Sequence, residues 1–153
     1  VMKDGYVVQV GTPEEIIERL KQMKQTMTAY FMVDDLTNLQ RGGRLNGAQA
    51  FIGSLLQVKP ILHFVDKIIV PFEKIRTRKK AINRIMSMLD EDASQGKGME
   101  VSFIHGNNEQ AAKDLENRFK EKYPNIDTNI SYFGPVIGTH LGNNAIGVCW
   151  YMK

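Results

Sequence analysis

Three glycines surround a threonine and an imidazole in Gly134-Pro135-Val136-Ile137-Gly138-Thr139-His140-Leu141-Gly142. Glycines let backbone amides approach a ligand in conformations barred to other residues. Such amides, Gly138 among them, together with Thr139 and His140 as side-chain donors, can hold a carboxylate or a phosphate. A plainer reading is equally open at this point: a loop joining two strands, in which His140 satisfies a neighbouring carbonyl.

Leu39-Gln40-Arg41-Gly42-Gly43-Arg44-Leu45 offers a second anion chemistry, because Arg41 and Arg44 can fork onto a carboxylate or phosphate across the glycine pair. The Lys and Ser/Thr of a nucleotide P-loop are missing. In the rival reading both arginines sit in a solvated turn and pair with Asp34 or Asp35. Further on, Arg76-Thr77-Arg78-Lys79-Lys80 precedes an amphipathic stretch. Cations at a helix start oppose the helix dipole, so this run is either a solvated patch or a surface for an acidic partner.

His63 and His105 each close a predicted strand without a second ligand at metal spacing, and no metal or cofactor is expected. Cys149 is the only cysteine, which excludes an intramolecular disulfide and a thiolate cluster and suits a reducing cytoplasm. No Ser-His-Asp or Cys-His spacing assigns a catalytic residue.

The elements that must position these groups follow from periodicity. Thr12-Pro13-Glu14-Glu15 reads as a capping box opening a helix to about Met27, with Ile16, Ile17, Leu20, Met23 and Met27 on one face. Tyr30 to Val33 is a buried strand, and Leu36 to Gln40 makes one or two helical turns. Gly47 to Gln57 mixes small and large apolar residues, as in a helix that packs closely or borders a cavity. Residues 59–64 and 67–73 form a hairpin turning at Val65-Asp66, with Pro71 marking an edge strand. Thr77 caps the next helix, which ends near Gly96. Strands at 99–104, 126–133 and 145–151 then flank a helix from Asn108 to Tyr123. The prediction is an α/β two-layer sandwich: a mixed six-stranded sheet with helices covering mainly one face, in a single domain over 1–153.

The hydrophobic fraction of 42% and charged fraction of 24% are those of a soluble globular chain. A formal charge of +3 is too mild, without a nucleic-acid module, to expect DNA or RNA as partner. The chain opens Val1-Met2-Lys3 with no leader, which is expected of a piece of something longer.

Five segments occur here in an order that resembles the DegV family: Tyr30 to Asp35, Leu39 to Leu45, Gly47 to Leu56, Lys59 to Leu62, and Gly134 to Gly142. Asn143-Asn144 stands where the family carries a Gly-Pro-Gly-like turn. The resemblance covers nearly the whole chain and implies an EDD-like fold and a bacterial, cytoplasmic carrier that is not itself an enzyme. Such a carrier buries a long-chain fatty acid and presents its carboxylate to a fatty acid kinase subunit related to dihydroxyacetone kinase, which forms acyl phosphate. This chain would be the C-terminal domain, with the N-terminal domain and its Ser/Thr contacts to the carboxylate absent, so that alone it binds lipid weakly. Carried over by position, His140, with Thr139 and Gly138, would hold the carboxylate, and Arg44 and Arg41 would lie at the domain boundary. Phe51, Ile52, Leu55, Leu56, Phe103, Phe133 and Ile137 would wall the acyl tail, and Arg76 and Lys79 would dock the kinase. Transient contact with a membrane surface fits such a carrier. Two rivals stand beside it: an acyl- or phosphoryl-transfer enzyme using His140, and a regulatory interaction domain using Arg76 to Lys80.

Overall fold

The computed structural model describes residues 11–44 and 59–153, together with the strand backbone of residues 2–3 and 6–7. The latter form a short antiparallel ribbon, β1 (Met2–Lys3) with β2 (Tyr6–Val7), not foreseen from the sequence. Helix α1 (Pro13–Thr26) begins at the predicted capping box: the Thr12 hydroxyl accepts from the Glu15 amide at 3.2 Å and the Glu15 carboxylate accepts from the Thr12 amide at 2.7 Å. None of its side chains is fully buried.

Strand β3 (Thr28–Met32) leads into the short helix α2 (Thr37–Arg41). Strands β4 (Ile61–Val65) and β5 (Ile68–Glu73) form the expected hairpin, and β5, with Pro71, is an edge of the sheet. Val65 pairs with Ile68, so the turn residues are Asp66 and Lys67, one position later than the sequence suggested, both in the left-handed region at φ 49° and 68°. Helix α3 (Arg78–Ala93) is capped by Thr77, and α4 (Glu109–Lys122), between β6 (Met99–His105) and β7 (Asp127–Tyr132), by Asn108. After α5 (Pro135–Leu141), β8 (Ile146–Met152) completes the sheet.

The strand order is β5-β4-β3-β8-β6-β7; only β6 and β7 run parallel, so this is the mixed six-stranded sheet that was expected. Alternation sends Met32, Phe103, Val148 and Trp150 to one face, where α3 and α4 bury Ile85, Leu89, Leu115 and Phe119 against them. The indole of Trp150 donates to the Asp92 carboxylate at 2.7 Å, which satisfies the one polar atom of that large buried ring. Phe31, Val33 and Leu62 point to the opposite face and meet Leu39 of α2 and Leu141 of α5 in a smaller core.

The segment from Gly134 to Gly142, read as a loop, is helical. Pro135 occupies the first turn, where its missing N–H is not needed, and Gly142 ends the helix at φ 75°, the left-handed geometry that glycine accepts. Both boundary signals, Pro135 at the start and Gly142 at the end, were present in the sequence, but seven residues are too few for an apolar period to announce itself. The predicted helix from Gly47 to Gln57 lies outside the described residues.

Candidate functional site

Helices α2 and α5 meet over the smaller core, and glycine makes their approach possible. The Asp35 carboxylate accepts from the Thr37 hydroxyl at 2.6 Å and from its amide at 2.8 Å, fixing the start of α2. Those two bonds, the hydroxyl's first, hold the Asp35 carboxyl below the usual carboxylate range. At the other end of α2 the His140 ring lies directly on Gly42. A Cβ at Gly42 would overlap Nδ1 and stand 2.7 Å from Cε1, while a Cβ at Gly142 would stand 2.8 Å from the Asn38 amide nitrogen.

Beside this junction opens a cavity of about 550 Å³, within the roughly 300 to 1,000 Å³ typical of small-molecule sites. Its floor is the sheet face carrying Phe31, Phe64 and Ile69, with the Phe31 and Phe64 rings 5.4 Å apart. Phe133 covers the centre of the sheet: its ring sits over Gly147, 2.9 Å from where a Cβ would stand. Val136, Ile137 and Leu141 of α5 supply a wall, and His140, Arg44 and Lys67 bring nitrogen donors to an otherwise apolar lining. Arg44 is steadied by one bond from its guanidinium to the Gly42 carbonyl, 3.1 Å long. Phe64, Ile68, Val136 and Ile137 remain substantially exposed, so apolar surface rims the opening.

The residues singled out from the sequence divide as follows. His140, Arg44, Phe133 and Ile137 come together in the cavity lining. Thr139 and Gly138 do not line it, since the Thr139 hydroxyl donates to the Val136 carbonyl at 2.8 Å and the Gly138 amide to the Gly134 carbonyl at 2.7 Å. Formation of α5 thus consumes donors that a loop would have left free. Phe103 sits opposite Val148, whereas Phe31 sits opposite Gly147; one step of alternation turns Phe103 to the other face, where it is buried against Phe119. Arg41 ends α2 exposed and outside the cavity. Phe51, Ile52, Leu55 and Leu56 lie outside the described residues.

Arg76 and Lys79 are exposed at the start of α3. Arg78, between them, turns inward to Asp34 at 3.1 Å, where Lys59 also approaches, at 3.6 Å. His63 stacks on Tyr30 with ring centroids 5.9 Å apart, and the His105 Nδ1 accepts from the Asn108 amide at 3.3 Å. Among the described residues no three His, Cys, Asp or Glu side chains are grouped to hold a metal ion, and no helix is long and apolar enough to cross a membrane. Sequence reasoning missed Phe31, Phe64 and Lys67. The alternation of Phe31 with Met32 and of Phe64 with His63 was a usable signal for the first two; for Lys67, only the turn itself was.

A family model described as "Uncharacterised protein, DegV family" matches residues 7–153. The chain belongs to the DegV family. Among DegV relatives, the protein DegV of Bacillus subtilis is 62% identical over 143 residues, which cover 94% of this chain and 51% of the relative. The crystal structure of DegV from Bacillus subtilis, a fatty acid binding protein, superposes with a TM-score of 0.83 at 62% identity, over 93% of this chain and 50% of that one. A fatty acid binding DegV family protein from Streptococcus agalactiae gives a TM-score of 0.80 at 33% identity, over 92% of this chain and 50% of that one. This DegV-family chain therefore spans about half the length of the relatives it matches.

Proposed function

We propose that this chain supplies the acyl-tail cavity of a cytoplasmic fatty-acid carrier, with His140 and Arg44 facing the carboxylate. The observation that carries the reading is one cavity, lined by Phe31, Phe64, Ile69 and Phe133, with an imidazole and a guanidinium at its α2–α5 end. An amphiphile with a long tail and a small anionic head matches that division. Each methylene removed from water contributes about 0.8 kcal/mol before the costs of ordering the ligand, so the tail supplies affinity and the head group orientation. The fatty acid binding of the Bacillus subtilis and Streptococcus agalactiae relatives supports the assignment.

In this reading the chain is the C-terminal domain of the carrier, and the rest of the carboxylate clamp comes from Ser/Thr groups of an N-terminal domain. The carrier is not the catalyst. It presents the carboxylate to a kinase subunit that forms acyl phosphate, and the exposed Arg76 and Lys79 are the docking cations.

The test is competition binding with a fluorescent fatty acid on delipidated protein, alongside native mass spectrometry. The isolated chain should take up one long-chain acid weakly. The double variant His140→Ala/Arg44→Ala should lose at least tenfold in affinity while keeping its melting temperature. Unchanged affinity in that variant would remove the carboxylate role from both residues, and absence of acid binding even when this chain is joined to its N-terminal half would sink the carrier reading.

A further inference from the structure

The cavity has a second polar end. Ile61 starts β4 opposite Met32, at the end of β3 that leads into α2, and Val65 ends β4 opposite Ile68 at the hairpin turn. The α2–α5 junction and the turn are thus separated by the length of β4, about 13 Å at ~3.3 Å per residue. His140 and Arg44 belong to the first end and Lys67 to the second, and all three line the same cavity, over an apolar floor of Phe31, Phe64 and Ile69.

Lys67 is unusual at its position for two reasons. Among the described residues it has no ion-pair or hydrogen-bond partner, so its ammonium group is uncommitted. Its backbone is also left-handed, at φ 68°, beside Asp66 at φ 49°. The second central position of a two-residue hairpin turn with both φ values positive is filled most readily by glycine, and a lysine there carries a steric cost that glycine avoids. Strain retained where the side chain lines a cavity points to a use for that side chain.

We propose that Lys67 is a tail-end subsite, whose ammonium group receives a carboxylate or hydroxyl at the ω end of the acyl chain. The cavity then accepts ω-carboxylated and ω-hydroxylated long-chain acids as well as simple ones. The inference rests on the acyl-binding reading above: the His140–Arg44 end takes the first carboxylate and Lys67 the second group. A simple acid is tolerated because the lysine stem can lie along the tail while the ammonium stays in water. A diacid gains a charge-assisted bond, whereas without Lys67 its second carboxylate would sit unpartnered beside Phe64 and Ile68. Lys67 is exposed, so solvent screens the pair and the selective effect should be about two- to fivefold.

The experiment measures affinities of the delipidated protein for dodecanoic, ω-hydroxydodecanoic and dodecanedioic acids, whose extended length matches the about 13 Å between the two ends, by competition with a fluorescent fatty acid. The unmodified protein should bind the diacid at least as tightly as the monoacid. Lys67→Met, which keeps an apolar stem, should change monoacid affinity by less than about twofold and weaken the diacid about two- to fivefold, with the hydroxy acid between. Lys67→Gly, which relieves the turn, removes the stem as well as the ammonium group, so it should weaken both acids and the diacid by the larger factor. Added salt should shrink the difference in the unmodified protein and not in the variants. Equal effects on mono- and diacid, or equal discrimination against the diacid before and after substitution, would overturn the subsite and leave the acyl-binding reading intact. Failure of all three acids to bind even when this chain is joined to its N-terminal half would overturn both.

Discussion

The imidazole of His140 rests on the backbone of Gly42 with no room for a Cβ between them. Gly42 has an ordinary helical backbone at φ −77°, so alanine suits its conformation; the severe clash is with the histidine, and the Asn38 carbonyl oxygen would stand 3.1 Å from the new Cβ. Its neighbour Gly43 is the reverse case, at φ 65° with open space where a Cβ would stand. Gly42→Ala should push the ring out of the cavity wall, cost about 1 to 3 kcal/mol as overpacking, and lower fatty-acid affinity about tenfold. Gly43→Ala should cost about 1 to 2 kcal/mol through backbone strain alone and leave affinity within about twofold. Thermal melts and competition binding on the two variants separate these outcomes; a Gly43 variant that loses affinity as the Gly42 variant does would show that His140 is not what Gly42 positions.

Phe133 and Gly147 set the depth of the cavity. The ring lies on bare backbone in a central strand, and glycine inside a strand often marks such a close approach. Gly147→Ala must lift Phe133 into the cavity, so the protein should shift towards shorter acyl chains. Phe133→Ala deepens the same space and should favour longer or bulkier chains, at a cost of about 2 kcal/mol in folding stability, below the roughly 3 to 5 kcal/mol of a fully buried phenylalanine because this one is half-buried. A chain-length series measured on both variants should move in opposite directions. A common direction would show that Phe133 does not limit the tail.

Acid should weaken α2 through Asp35. Its folded carboxyl is held below the unfolded value by the bonds from Thr37, so its contribution is fully present above the unfolded pKa of about 3.9 and is lost as pH falls from there through the lower folded value. Asp35→Ala should cost about 1 kcal/mol near neutrality, in the range of a lost helix cap. The gap between the two proteins should be flat above about pH 5 and close as the medium is acidified through that window. Denaturant melts across pH 2 to 7 would show it; a gap that widens on acidification would contradict the assignment.

Much of the framework was legible because its signals are local and redundant. Thr12 with Glu15, Thr77 and Asn108 announce helix starts through the side-chain oxygens that satisfy free amides, and the alternation in β6 and β8 survives burial by α3 and α4. The site was legible only in part. His140 and Arg44 stand out as polar groups beside glycines, but which face Phe103 takes depends on its register against Val148, a relation between distant strands that no local pattern states. In the same way Gly138 and Thr139 look like free donors until α5 forms and absorbs them. Lys67 belongs to the cavity only because the β4–β5 hairpin folds over the same sheet face as α5.

The basic run at the start of α3 separates into two environments that one charge count would merge. Arg78 is turned inward onto Asp34, beside Lys59, whereas Arg76 and Lys79 are exposed. Arg78→Ala leaves Asp34 with Lys59 alone and should cost about 1 kcal/mol, because a partly screened pair is lost without stranding a carboxylate. Arg76→Glu with Lys79→Glu should change stability by no more than about 0.5 kcal/mol, as expected of surface positions. If these two cations dock an acidic kinase surface, that double variant should associate at least tenfold more slowly at low salt, with the deficit shrinking as ionic strength rises. Association kinetics of the full-length carrier with its kinase, against Arg78→Ala as the stability control, would decide it; an unchanged rate for the double variant would move the docking surface elsewhere on the molecule.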